Sequence, residues 1–206
     1  LQFSTDETMG PMLNNIPHKE WAKILPSNPY SGSKACQEAI AISYWRTYGV
    51  PVVITNTMNL IAEYQDPEKF VPLVINKVLS GGTVGIHSQK GVVGSRSYLH
   101  CRNAASAILF LIKNAKIQMY PEYNEPTRYN VVGELQLDNL TLAKMIADIV
   151  GKPLKYELTD VHSSRPGHDI AYGLDGTKLR ELGFEFPVDF KSSLEKTVKW
   201  FIKNPE

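Results

Sequence analysis

Tyr30 and Lys34 stand four residues apart in Tyr30-Ser31-Gly32-Ser33-Lys34. On a helix that spacing puts the phenol and the ammonium on one face, one turn apart. A free tyrosine, with a pKa of ~10, is a poor base at neutral pH. A cation held beside it favours the phenolate and brings proton abstraction within reach. The spacing alone is also that of an ordinary surface Tyr–Lys pair. Upstream, Ser4-Thr5-Asp6-Glu7 sets a hydroxyl beside two adjacent carboxylates, directly after the apolar Leu1-Gln2-Phe3. If that stretch is a strand, these groups lie at its C-terminal edge, where open α/β sheets bind ligands. Two carboxylates in unlike surroundings can divide into an acid and a base; a solvated turn would carry the same pair.

The elements that position these groups alternate along the chain. Asn28 and Pro29 are N-cap and first-turn signals for a helix, and Gly49 is placed to end it. Within it, Ala35, Ala39, Ile40, Ile42 and Ser43 spread small and apolar residues over more than one face, which predicts burial on two sides. Val50–Thr55 is β-branched and predicts a buried strand. Pro67–Leu79 reads as a helix ending at Gly81-Gly82, followed by strands at Val84–His87 and Ser97–His100. A helix over Asn103–Asn114, a polar irregular loop around Gln118–Thr127, and a strand at Tyr129–Val132 come next. Helices over Leu140–Val150 and Leu194–Ile202 complete the pattern. Alternation of this kind predicts an α/β fold with a parallel sheet and a more irregular C-terminal lobe. Leu1–Thr5 reads as the end of a strand whose partners lie upstream, so a preceding segment is expected. A short strand beginning there is the alternative.

The chain of 206 residues is 43% hydrophobic and 21% charged, with net charge +1. That balance is globular and gives no electrostatic footprint for nucleic acid or an anionic membrane. No apolar run approaches the ~18–20 residues that span a bilayer. Cys36 and Cys101 share no motif, which leaves neither a disulfide framework nor a zinc site. Both read as packing residues of a cytoplasmic protein.

Ser4-Thr5-Asp6-Glu7-x-x-Gly10 followed by Asn28-Pro29-Tyr30-x-x-x-Lys34 resembles the extended short-chain dehydrogenase/reductases, the NAD-dependent epimerase/dehydratase family. The resemblance is greatest to its nucleotide-sugar 4,6-dehydratases of the dTDP-glucose type. It continues through Arg46–Pro51, Pro67–Pro72, Arg96–Leu99, Tyr129–Val131 and Arg165–Asp169. Two stretches depart from it. Asn59-Leu60-Ile61-Ala62-Glu63 stands where the family has Asn-Asn-Tyr-Gly-Pro, and Thr8-Met9 where it has Val-Tyr. The glycine-rich turn that holds the dinucleotide, Gly-x-x-Gly-x-x-Gly, does not occur in these residues.

The resemblance implies the C-terminal part of a doubly wound Rossmann-type parallel sheet with a smaller substrate-binding lobe. Residues 1–60 would belong to the first, residues 61–206 mainly to the second, with about 97–114 returning to the first. It implies NAD as cofactor and a nucleotide-diphosphate sugar as substrate. Tyr30 and Lys34 would serve as base and supporting cation at the nicotinamide ribose, Thr5 as a hydrogen-bonding partner, and Asp6 and Glu7 as acid and base. Asn59, Lys69, Arg96, Asn139, Arg165 and His168 are the implied substrate-binding residues; Asn139 also reads as a helix cap, Lys69 and Arg96 as surface charges, and His168 as a structural loop histidine. The piece alone is expected to bind NAD weakly. A homodimer through the Tyr–Lys helix, in a four-helix bundle, is implied as well. An epimerase on the same scaffold and a non-catalytic sugar-nucleotide-binding remnant are the alternatives. The adjacent carboxylates favour dehydration, because 4-epimerisation needs neither a C5 base nor an acid for water loss.

Overall fold

The computed structural model describes residues 1–12, 14–160 and 171–204. Along the chain the elements are β1 (Gln2–Thr5), α1 (Pro29–Tyr48), β2 (Val53–Thr57), β3 (Asn59–Ile61), α2 (Phe70–Ser80), β4 (Thr83–Gln89), β5 (Val92–Val93), β6 (Ser95–His100), α3 (Cys101–Asn114), β7 (Thr127–Val131), β8 (Gln136–Asp138), α4 (Asn139–Val150), β9 (Lys155–Asp160), α5 (Thr177–Glu181) and α6 (Phe190–Lys203). They fall into two compact units. The first is residues 1–58, 102–132 and 171–187; the second is 59–101, 133–170 and 188–206. Residues 115–132 and 171–187, expected in the second lobe, belong instead to the first unit, because β7 pairs with β2 and α5 packs on β7.

The first unit is built on a parallel sheet in the order β1-β2-β7. Every residue of β2 and β7 is buried, as expected for parallel strands covered on both faces. The strand predicted over Val50–Thr55 starts later and runs on to Thr57. Its pairing begins at Val53 with β7 and at Ile54 with β1, after Pro51, which has no N–H to give a ladder. β2 therefore buries Thr55, Asn56 and Thr57, and their polar groups need partners inside the protein.

α1 forms where its caps say it should. Asn28 Oδ1 accepts the Ser31 N–H at 2.9 Å, Ser31 Oγ accepts the Asn28 N–H at 3.2 Å, and Pro29 occupies the first turn. Gly49 ends the helix at φ 63°, in the left-handed region that suits glycine. One face, running Ser31, Glu38 and Trp45, is buried. Trp45 packs with Val52 and Ile54, and its Nε1 donates to Gln118 O at 2.7 Å. Burial on two sides is not found. Ile40, Tyr44 and Tyr48 are 59%, 54% and 72% exposed, because no element among the described residues covers that face. Cys36, expected to pack, is exposed on this helix, and both cysteines are free.

The second unit has two small mixed sheets, β3-β6-β8 and β5-β4-β9. Its core joins Val74 and Ile75 of α2, Ile86 of β4, Leu142 and Ile146 of α4, and Leu194 and Val198 of α6. α2 starts at Phe70 rather than Pro67, because Asp66 turns the chain first: its Oδ1 accepts the Glu68 N–H at 2.8 Å and its carbonyl the Lys69 N–H at 2.9 Å. The cap of α4 is Asp138 and not Asn139, with Asp138 Oδ1 accepting the Thr141 N–H at 2.8 Å. No helix among the described residues is long and apolar enough to cross a membrane.

Candidate active site

Thr5 ends β1, and its side chain caps the 3-10 turn Asp6–Met9 by accepting the Glu7 N–H. The same hydroxyl donates to Asp6 Oδ1 at 2.9 Å. Gly10 closes the turn at φ 75°, its N–H bonded to Glu7 O at 3.2 Å; a Cβ there would stand 2.6 Å from Leu25 O. The chain thus leaves the C-terminal edge of the sheet in a tight turn that fixes two successive carboxylates in different settings. Asp6 is buried, while Glu7 is half-buried and accepts a hydrogen bond from Asn28 Nδ2 at 3.0 Å. Asn28 therefore does two things: one side-chain atom caps α1 and the other holds Glu7. That second contact is invisible in the sequence, where Asn28 reads only as a cap.

Tyr30, in the first turn of α1, is 53% exposed and shares a side-chain hydrogen bond with Thr5. Thr5 is thus common to the phenol and to the carboxylate turn. Partial burial pushes the phenol above its ordinary value, and the charges of Glu7 and Asp6 add to this against the Thr5 bond. The expected lowering by Lys34 is absent. The Lys34 ammonium donates to Phe3 O at 2.7 Å and to Gln37 Oε1 at 2.9 Å, which ties it to β1 rather than to the phenol. Thr5, Asp6, Glu7, Tyr30 and Lys34 nevertheless all belong to the first unit and gather at the end of β1 and the start of α1.

Four of the implied substrate residues lie in the second unit. Asn59 opens β3, exposed and in register with Tyr98. Lys69 is exposed at the N-cap of α2 and makes no side-chain cap. Arg96 Nη1 donates to Ser95 O at 2.6 Å, and its charge acts on Tyr98, whose hydroxyl donates to Asn139 Oδ1 at 2.8 Å. Arg96, Tyr98 and Asn139 are thereby brought together; Lys69 is not tied to them. Burial raises the Tyr98 phenol far above its ordinary value. Glu63, at the departure from the family pattern, meets His100 Nε2 at 3.1 Å. Arg165 and His168 lie outside the described residues.

Three buried residues escaped the sequence reading: Glu38, Asn56 and Arg128. The available signal was Glu38 itself, an acid one turn beyond Lys34 on the Tyr30–Lys34 face.

Residues 1–131 match the model of the NAD dependent epimerase/dehydratase family. The dTDP-glucose 4,6-dehydratase of Haemophilus influenzae is 32% identical, with 98% of this chain and 60% of that protein covered. The crystal structure of DesIV, a dTDP-glucose 4,6-dehydratase from Streptomyces venezuelae with NAD and TYD bound, is 31% identical at a TM-score of 0.83. It covers 98% of this chain and 59% of that one. The Thermus thermophilus UDP-glucose 4-epimerase complex with NAD is 23% identical, at a TM-score of 0.84, and shares the fold. The chain spans about 60% of the length of these relatives. The α/β fold is of the Rossmann type, and the chain belongs to the NAD dependent epimerase/dehydratase family.

Proposed function

We propose that this chain carries the catalytic acids and bases of a nucleotide-sugar 4,6-dehydratase that works with NAD. The observation that supports the reading most is the capped turn at the end of β1. It holds Asp6 buried and Glu7 half-buried, with Thr5 bonded to Tyr30 on one side and to Asp6 on the other. A 4-epimerase needs no such acid–base pair.

The residues present fit the nicotinamide-ribose end of NAD. An ammonium has three donors, and Lys34 uses two of them on Phe3 and Gln37, which leaves one for a ribose hydroxyl. Tyr30 stands half exposed one turn before Lys34 on α1. Bound there, NAD would supply the acceptor for the C4 hydride and the donor of that hydride to C6. The chain's own groups do the proton chemistry. Tyr30, as phenolate, takes the proton of the sugar 4-hydroxyl, with Thr5 hydrogen-bonded beside the 4-oxygen. The 4-ketone that results acidifies the C5 proton, which Glu7 removes. Asp6 gives its proton to the 6-hydroxyl, which leaves as water, and Glu7 returns its proton to C5 as C6 is reduced. Arg96 and Asn139, with Asn59, Lys69, Arg165 and His168, serve the nucleotide diphosphate, since anionic oxygens bind best to charged and amide donors.

Product mass tests the reading. The intact protein, given an NDP-hexose and NAD, should yield a product lighter by one water. A mass-neutral product would move the assignment to epimerisation, and no product to a binding role.

The protein works in the cytoplasm as a homodimer through the exposed face of α1, where Ile40, Tyr44 and Tyr48 form an apolar stripe and the Tyr44 and Tyr48 rings lie 5.4 Å apart. Such residues supply interface anchors. Light scattering at tens of micromolar, enough for a contact of about 8 kcal/mol, should report a dimer for the intact protein, and Tyr44→Arg should give monomers. A monomeric wild type would refute the assembly.

A further inference from the structure

Beneath the turn that carries Asp6 and Glu7 lies a charge pair that the proposed chemistry does not use. Glu38 of α1 and Arg128 of β7 are 2% and 7% exposed, and Arg128 Nη1 lies 2.7 Å from Glu38 Oε2. Ser4 Oγ donates to Glu38 Oε1 in a short hydrogen bond, and Asn56 Nδ2 donates to the same oxygen at 3.2 Å. Arg128 Nη1 also donates to Asn56 Oδ1 at 2.7 Å. Each strand of the β1-β2-β7 sheet thus contributes one residue to the Glu38 carboxylate. The amide of Asn56 reaches further: it lies 3.0 Å from Thr5 O and 3.1 Å from Thr8 Oγ1, and Thr8 Oγ1 itself donates to Thr5 O at 2.9 Å. Thr5 and Thr8 flank Asp6 and Glu7.

We infer that the Glu38–Arg128 pair, acting through Asn56, positions the turn that presents Asp6 and Glu7. A buried ion pair gains little stability over an apolar pair of the same volume, so burial of two charges here calls for another role. Asn56 has a choice of orientations, and the pair removes it. Arg128 engages its oxygen, so the Nδ2 side faces Glu38, Thr5 and Thr8. Without the Arg128 charge on one side and the carboxylate on the other, only its bonds to Thr5 O and Thr8 Oγ1 hold this amide against the turn. Glu38, Asn56 and Arg128 are positioning residues in this scheme, and none of them touches substrate.

The inference rests on the dehydratase reading only for its kinetic arm. In the intact protein, Glu38→Gln keeps the side-chain shape and one acceptor but removes the carboxylate charge. Amide exchange in the segment Glu7–Gly10 should quicken ~10-fold or more, while β2 and β7 stay within ~threefold. Turnover should fall ~10- to 100-fold with KM within ~threefold, the mark of lost alignment rather than lost binding. An unchanged turn overturns the proposal whatever happens to activity. A uniform rise in exchange across the sheet also overturns it, since the pair would then serve stability alone, and so does a loosened turn with normal turnover. Should Glu38→Gln fail to fold, the double variant Glu38→Gln/Arg128→Gln removes both charges; it should fold with a fast-exchanging turn, and native protection there would overturn the proposal. If the wild type makes no dehydrated product, the functional reading falls while the exchange measurement still decides the positioning.

Discussion

Tyr30→Phe in the intact protein is expected to cut turnover by ~10²–10⁴-fold, the contribution of a positioned base. The change removes one oxygen from a ring that is 53% exposed, so folding should be unaffected. What disappears is the group that shares a hydrogen bond with Thr5 and faces Glu7 and Asp6. The wild-type pH profile should carry the same signature. Partial burial and then the two carboxylates hold the phenol above its ordinary value. A base whose proton is held more tightly works through a smaller ionised fraction at neutral pH, so the rate should climb as pH rises toward that value. The Phe variant should lose this climb as well as the rate. A Tyr30→Phe protein with near-wild-type turnover would end the role assigned to Tyr30.

Local signals were legible and long-range ones were not. Asn28, Pro29 and Gly49 define α1 through contacts within a few residues of each other, and the helix lies where they place it. The start of β2 depends on partners at Gln2 and Thr127, so β-branched residues alone put it three residues early. β9 pairs in parallel with β4 from Thr83↔Lys155 onward, and nothing local to Lys155–Asp160 announces a partner so far upstream. In the site, Thr5, Asp6, Glu7, Tyr30 and Lys34 stood out because their types and spacing suit proton transfer. Glu38, Asn56 and Arg128 did not, because a buried ion pair reverses the rule that charges mark the surface. Arg128 meets Asn56 only because β7 lies beside β2. The Lys34 expectation failed for a related reason: i,i+4 spacing puts two side chains on one face, but the carbonyl of Phe3 and the amide of Gln37 decide where the ammonium points.

Glu7→Gln should separate the two halves of the proposed reaction. Tyr30 and Thr5 remain, so the sugar 4-hydroxyl can still be oxidised. The C5 proton has lost its base, and formation of dehydrated product should fall by ~10²-fold or more. Reduced nicotinamide should therefore build up under turnover, visible by its near-ultraviolet absorbance, with no matching loss of water from the sugar. Geometry makes this substitution a clean one. The Glu7 carboxylate accepts a single described hydrogen bond, from Asn28 Nδ2 at 3.0 Å, and a glutamine oxygen can still take it. The cap of α1 uses the other end of Asn28, Oδ1, and is left untouched. Glu7 also raises the Tyr30 phenol, so its neutralisation should shift that group downward. Oxidation at C4 should then be as fast as in the wild type or faster, and a tyrosinate absorbance titration of the variant against wild type should show the downward shift. A Glu7→Gln protein that releases dehydrated sugar at the normal rate would place the C5 base on another residue. One that fails to reduce the nicotinamide at all would mean that Glu7 acts before the elimination, and the division of labour between Tyr30 and the carboxylate turn would have to be redrawn.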